Sequence, residues 1–85
     1  MPAFTSNVRA YRQERGLTQE ELADLVGARR ETIVRLESAK YNPSLELAAR
    51  IAFVLGESLE TLFAFDFAPE TEAQRQFYAS RARRA

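Results

Sequence analysis

The chain reads as all-α, a small domain of five short helices, and three observations predict it. Apolar residues recur three and four apart, at Leu22, Val26, Ile33 and Leu36 and again at Leu45, Ala48, Ile51, Ala52 and Leu55, the spacing of one buried helical face. Residues that start helices stand just ahead of these runs, at Thr18, Ser44 and Ser58. Glycines 16, 56 and, between the two central helices, 27 stand where the runs stop. No strand is needed to complete the core.

The elements follow in order. The first helix is predicted from about Ser6 to Arg15, with Thr5 or Ser6 as N-cap, Val8 and Tyr11 facing inward, and Phe4 stapling its start. Thr18 caps the second, Gln19 to Val26, and Glu21 three residues on completes a capping box. The third runs from Arg29 or Arg30 to Glu37. Pro43 and Ser44 open the fourth, whose Leu45, Ala48, Ile51, Ala52 and Leu55 form one face before Gly56 stops it. Ser58 caps a last short helix from Leu59 to Phe63.

The second and third helices carry the functional information. Ala23 lets them approach closely, because a larger side chain would hold them apart, and Gly27 can take the positive φ that turns one sharply into the other. Two short helices folded this way make a helix-turn-helix, whose second member lies in the DNA major groove. An ordinary pair of packed helices shares the spacing, so the flanking residues decide.

Composition excludes other classes. Eighty-five residues make one domain with a modest core and leave no room for a separate sensing domain. The chain has no Cys and no His, so zinc-type sites, disulfides and Ser-His or Cys-His catalysis are not expected, and neither is a cofactor. It is compatible with a reducing cytoplasm. No leader-like apolar run follows a basic start, and no segment approaches the roughly 20 apolar residues of a membrane span. Twelve basic and twelve acidic residues cancel, which argues for modest non-specific DNA affinity and dependence on a dimer. Distribution matters more than the sum: Arg29, Arg30 and Arg35, followed by Lys40, make a local positive patch.

The run GLTQEELADLVGARRETIVRLESAKYNPSLELAARIAFVLGESLETLF, Gly16 to Phe63, resembles the Cro/cI-like (XRE) family of DNA-binding regulators, and most of all its compact bacterial members. The likeness extends without gaps from Asn7 to about Asp66. It implies a lambda-repressor-like DNA-binding domain over residues 1–66; residues 67–85 lie outside the likeness and read as a C-terminal extension, helical or dimerising. It also implies a salt bridge between Arg12 and Glu37 that ties the first helix to the end of the recognition helix.

DNA contacts carry over onto matching positions. Gln19, at the start of the second helix, resembles the family glutamine that holds a phosphate with its amide while the helix N-terminus adds its dipole. Arg30, Glu31, Val34 and Arg35 occupy the outward face of the recognition helix and suit base edges. An arginine fork matches guanine O6 and N7, a carboxylate accepts from cytosine N4, and a valine packs on a thymine methyl. Arg29, Thr32 and the loop residues Lys40, Asn42 and Ser44 are placed for phosphates. Three residues depart from the family pattern. Arg29 stands where Ser or Thr usually caps the recognition helix. Ala39 replaces the glycine that follows it, leaving the loop shape open. Phe53 stands where the family shows a polar residue.

Phe63, Phe65 and Phe67 alternate with Ala64 and Asp66, the period of a half-buried strand. Phe53, Phe63, Phe65 and Phe67 are the expected dimer interface. A twofold dimer would set the Phe65 strands side by side as an antiparallel ribbon; the competing arrangement uses the fourth and fifth helices alone. Beyond lie Thr71 and Gln74, spaced as a capping box, with acids early and arginines late as a helix dipole prefers. The extension therefore reads as a helix with Ala73, Phe77 and Tyr78 inward, or as a frayed basic tail.

Two functional classes follow. One is a sequence-specific transcriptional regulator that binds double-stranded DNA at a palindromic operator as a homodimer, a repressor or autoregulator. The other is an antitoxin-type protein whose tail grips a partner protein. No catalytic constellation points to an enzyme.

Overall fold

A computed structural model describes residues 4–65 and 67–82. The order is β1 (Phe4–Ser6), α1 (Val8–Glu14), α2 (Gln19–Val26), α3 (Arg30–Glu37), α4 (Leu45–Leu55), α5 (Leu59–Leu62), β2 (Phe63–Phe65) and α6 (Glu72–Ala82). The protein is thus mostly helical, with six helices and one two-stranded sheet among the described residues.

Local chemistry sets the helix ends. The Thr18 hydroxyl accepts from the Glu21 amide (3.0 Å), and the Glu21 carboxylate accepts from the Thr18 amide (2.8 Å), closing the capping box that starts α2. Ser44 and Ser58 accept from the Leu47 and Thr61 amides, each at 3.1 Å. Gly27 ends α2 in the left-handed region (φ 72°). Arg29 precedes α3 in extended conformation with no side-chain cap.

One core joins the helices. Val8, Leu22, Ile33, Leu36, Ile51, Leu55 and Leu62 are fully buried, and Ala23 of α2 is buried with them. Arg15 extends this frame by donating to the Leu55 carbonyl at the C-terminal end of α4, where a cation suits the helix dipole.

The ends of this unit differ from the sequence expectation. β1 pairs antiparallel with β2 in the register Phe4↔Phe65, Thr5↔Ala64 and Ser6↔Phe63. A strand therefore contributes to the core after all, because Phe4 is buried from β1 rather than stapling a helix. Thr5 and Ser6 lie in that strand, so α1 starts later, after Asn7. The Asn7 side chain does not cap α1. Its amide nitrogens reach the end of α5 instead, the backbone N–H donating to Leu62 O (2.8 Å) and Nδ2 to Thr61 O (2.9 Å).

Other elements differ from the sequence expectation by smaller amounts. Leu45 is 78% exposed, since the first turn of α4 projects past the core and only Ala48, Ile51 and Leu55 of its face are buried. Phe63 belongs to β2 rather than the end of α5. Thr71 and Gln74 do bond reciprocally at the start of α6, each at 3.1 Å. Yet Ala73 is exposed, Phe77 is 60% exposed beneath the Arg81 guanidinium, and Tyr78 is only half-buried. α6 therefore adds no side chain to the buried core. Asp66, Arg83 and Arg84 lie outside the described residues.

Candidate nucleic-acid interface

α3 turns two sides to different surroundings. Ile33 and Leu36 point into the core, which leaves Arg30, Glu31, Val34 and Arg35 exposed on the far side. Thr32 sits half-buried on one flank of that face, and Glu37 on the other. Arg29, Lys40, Asn42 and Ser44 are all exposed, at the start of α3 and along the loop that follows it. Among the described residues no ion pair engages Arg29, Arg30, Arg35 or Lys40. Their charges are therefore free to act outward from one end of a protein that is neutral overall.

A buried ionic cluster fixes how α3 is held. Arg12 of α1 donates through Nε to Glu37 Oε2 (2.6 Å) and through Nη2 to Glu37 Oε1 (3.2 Å), a two-pronged pair whose side chains are 8% and 4% exposed. Its Nη1 donates to the Leu17 carbonyl (2.7 Å). Gln19 completes the cluster by donating from Nε2 to Glu37 Oε1 (3.1 Å). One carboxylate thus receives donors from α1 and from the start of α2. The arrangement sets the angle of α3 against both, and such a buried pair contributes positioning more than net stability.

Gln19 is consequently drawn toward Glu37, with one of its two amide hydrogens left for another partner. Sequence reasoning missed this contact and the one from Arg12 to Leu17. Gln19 and Glu37 are eighteen residues apart on different helices, so no local pattern links them. Ala39 adopts φ 58°, in the left-handed region that favours glycine.

The four phenylalanines do not share one fate. Phe63 is buried and packs edge-to-face on Phe4 at 5.8 Å between centroids. It is core, not interface, because β2 pairs within the chain and turns this ring inward. Phe65 is half exposed, tilted on Phe4 at 5.5 Å, and Phe67 stacks on Phe65 at 5.5 Å. Phe53 is 87% exposed on α4. Beside Phe63 and Phe65 opens an apolar groove of about 540 Å³, lined also by Phe4, Pro43, Leu45 and Leu59. Among the described residues no helix is long and apolar enough to cross a membrane.

Comparison with known proteins places this geometry. The helix-turn-helix family matches residues 8–62. An uncharacterized HTH-type transcriptional regulator of Archaeoglobus fulgidus is 57% identical over 61 residues, covering 72% of this chain and 87% of that protein. One from Methanothermobacter thermautotrophicus is 55% identical over 60 residues, 69% of this chain and 87% of the relative. The crystal structure of the restriction-modification controller protein C.AhdI from Aeromonas hydrophila superposes with a TM-score of 0.58 at 32% identity, over 62% of this chain and 80% of that one. The clp gene regulator ClgR from Corynebacterium glutamicum gives 0.59 at 30% identity; the match covers 64% of this chain and spans 57% of ClgR. A transcriptional regulator from Listeria innocua shares the fold over 95% of this chain, with a TM-score of 0.60 at 19% identity. With the capped α2, the sharp turn at Gly27 and the outward face of α3 all inside the matched span, the chain belongs to the XRE-type helix-turn-helix family of DNA-binding transcriptional regulators, not to an enzyme family.

Proposed function

We propose that the protein is a sequence-specific regulator that works as a homodimer on a palindromic operator, as a repressor or autoregulator in the cytoplasm. The observation that carries the reading is the outward face of α3. Arg30 and Arg35 bind guanines there, Glu31 accepts from a cytosine, and Val34 packs on a thymine methyl. Gln19, Arg29, Thr32, Lys40, Asn42 and Ser44 hold phosphates on either side. No cofactor is invoked.

Dimerisation is supported by the apolar groove and by Phe53, Phe65 and Phe67, whose exposed rings are costly to leave in water. Two copies related by a twofold axis set their α3 helices roughly 34 Å apart, one turn of DNA. Selection of bound fragments from genomic DNA, followed by sequencing, tests the reading. The expected product is an inverted repeat with half-sites one helical turn apart; recovery of fragments with no common motif would overturn sequence-specific binding.

A second reading is favoured by α6. An isolated helix of eleven residues is marginal in water, and its exposed Phe77 offers a grip for a partner protein, as in an antitoxin. The residues 67–85 would then form an interaction segment attached to a DNA-binding unit at 1–66. A co-purifying product of an adjacent gene, lost on truncation after Phe67, is the result that would favour it.

A further inference from the structure

An open polar groove of about 370 Å³ lies between the α2–α3 turn and the first turns of α4, with Gly27, Thr32, Tyr41, Ser44, Glu46 and Arg50 in its wall. Its position relative to α3 gives it meaning. A helix in the major groove is bordered by both sugar-phosphate backbones, so each of its flanks needs phosphate contacts. Glu37 marks the flank that faces Arg12 and Gln19. Thr32 marks the opposite flank, and the groove begins there.

Arg50 is the cation of this groove, and its guanidinium is divided between two directions. Nε and Nη2 donate to Glu46 Oε2 at 3.1 and 2.7 Å. Nη1 has no partner among the described residues and lies 4.0 Å from where a Cβ on Gly27 would stand. The fork is thus held along one edge while its other nitrogen lies near the turn that leads into α3. No hydrogen bond among the described residues occupies the side-chain oxygens of Thr32 or Tyr41. Ser44 spends only an acceptor on the Leu47 amide, so its hydroxyl proton is available.

We propose that this groove binds a backbone phosphate of double-stranded DNA, with Arg50 as its cation and the Tyr41, Thr32 and Ser44 hydroxyls as donors. The proposal rests on the DNA-binding reading and extends it to Arg50 and Tyr41 on α4 and its approach. Glu46 orients the fork and at the same time cancels its charge. The Arg50–Glu46 pair is exposed and one helical turn apart, so it contributes little to stability. Its charge balance acts chiefly on binding.

Because phosphate contacts are independent of sequence, a random-sequence duplex at a series of salt concentrations is a sufficient probe. Arg50→Gln should weaken binding and lower the slope of log K against log salt by about 0.9, the share of one phosphate. Arg50→Lys, which keeps a point charge, should retain the slope. Glu46→Gln keeps an oxygen acceptor and removes a negative charge from the groove wall, so it should tighten binding severalfold. A parental slope in Arg50→Gln, or unchanged binding in Glu46→Gln, would overturn the proposal while leaving the DNA reading intact. Failure of the unaltered chain to bind duplex at all would remove that reading and the proposal together.

Discussion

At the scale of single residues, Arg12 has the largest consequences. It is 7% exposed and satisfies both Glu37 oxygens and the Leu17 carbonyl. Arg12→Met leaves a buried carboxylate with only Gln19 as donor, and one-sided loss of a buried pair costs about 3–5 kcal/mol. Chemical denaturation of this variant should show a loss of that size, and adding Glu37→Leu should restore part of it. Arg30 and Arg35 are exposed and unpaired among the described residues, so their removal leaves the fold unchanged. Arg30→Ala should cost roughly 1–3 kcal/mol of operator binding in gel shifts at fixed salt. Parental affinity in both Arg30→Ala and Arg35→Ala would mean that another face reads the DNA.

Ala39 supplies the opposite kind of test. Its φ of 58° places a side chain in a region that costs an L-residue about 1–2 kcal/mol. Glycine removes that strain but adds about 0.4–1 kcal/mol of chain entropy to the unfolded state, and the Ala39 methyl packs on the core. Ala39→Gly should therefore stabilise the protein by a few tenths to about 1 kcal/mol. A lower melting temperature would show that the methyl contact outweighs the backbone.

At the scale of elements, what could be read from the sequence was whatever is decided locally. α2 was legible because both halves of its cap, Thr18 and Glu21, lie within one turn; α4 was legible from Ser44 and Gly56 at its ends. β1 was not legible. Three residues have no period, and the partner that makes Phe4–Ser6 a strand stands about sixty positions away, beyond five helices. The alternation at Phe63–Phe67 announces a strand but does not name its neighbour, so it points Phe63 toward a dimer interface although the ring is core. Leu45 failed for a related reason, since periodicity shows which residues share a face but not how far the core reaches along it. At the candidate interface, the outward residues of α3 follow from the family likeness, whereas the bond from Gln19 to Glu37 depends on how two helices cross. Phe4 and Phe67 make the difference measurable. Phe4→Ala should cost about 3 kcal/mol as a core truncation, while Phe67→Ala, 71% exposed in a single copy, should cost the subunit fold no more than about 0.5 and act on dimer dissociation instead.

For the whole molecule, the relevant contrast is between a compact helix-turn-helix unit and surfaces it leaves uncovered. The long axis of the described structure is 44 Å against 25 and 19 Å for the others. Phe53 and Phe65 both stay in water in a single copy. If a twofold partner covers them, Phe53→Glu combined with Phe65→Glu should sediment as a folded monomer and lose most of its operator affinity. A dimer that persists in this double variant would direct attention to other surfaces. Truncation must respect the strand pairing: cutting after Leu62 removes the buried Phe63 along with β2, whereas cutting after Phe67 removes α6 and keeps the core whole.

The pairing of β1 with β2 also bears on the order of events in folding. Phe4 and Phe65 are 61 positions apart (65 − 4), and closing a loop of that length costs roughly 4 kcal/mol in chain entropy. α2 and α3 adjoin in sequence and pay far less for their contacts, so they belong to the nucleus and the strands close last. In stopped-flow measurements, Ile33→Val should then slow refolding, whereas Phe4→Ala should leave refolding near the parental rate and act by accelerating unfolding. The helix-turn-helix would thus take shape before the two ends of its unit are tied, and the Asn7 bonds to Thr61 and Leu62 would act as a late latch that slows its opening.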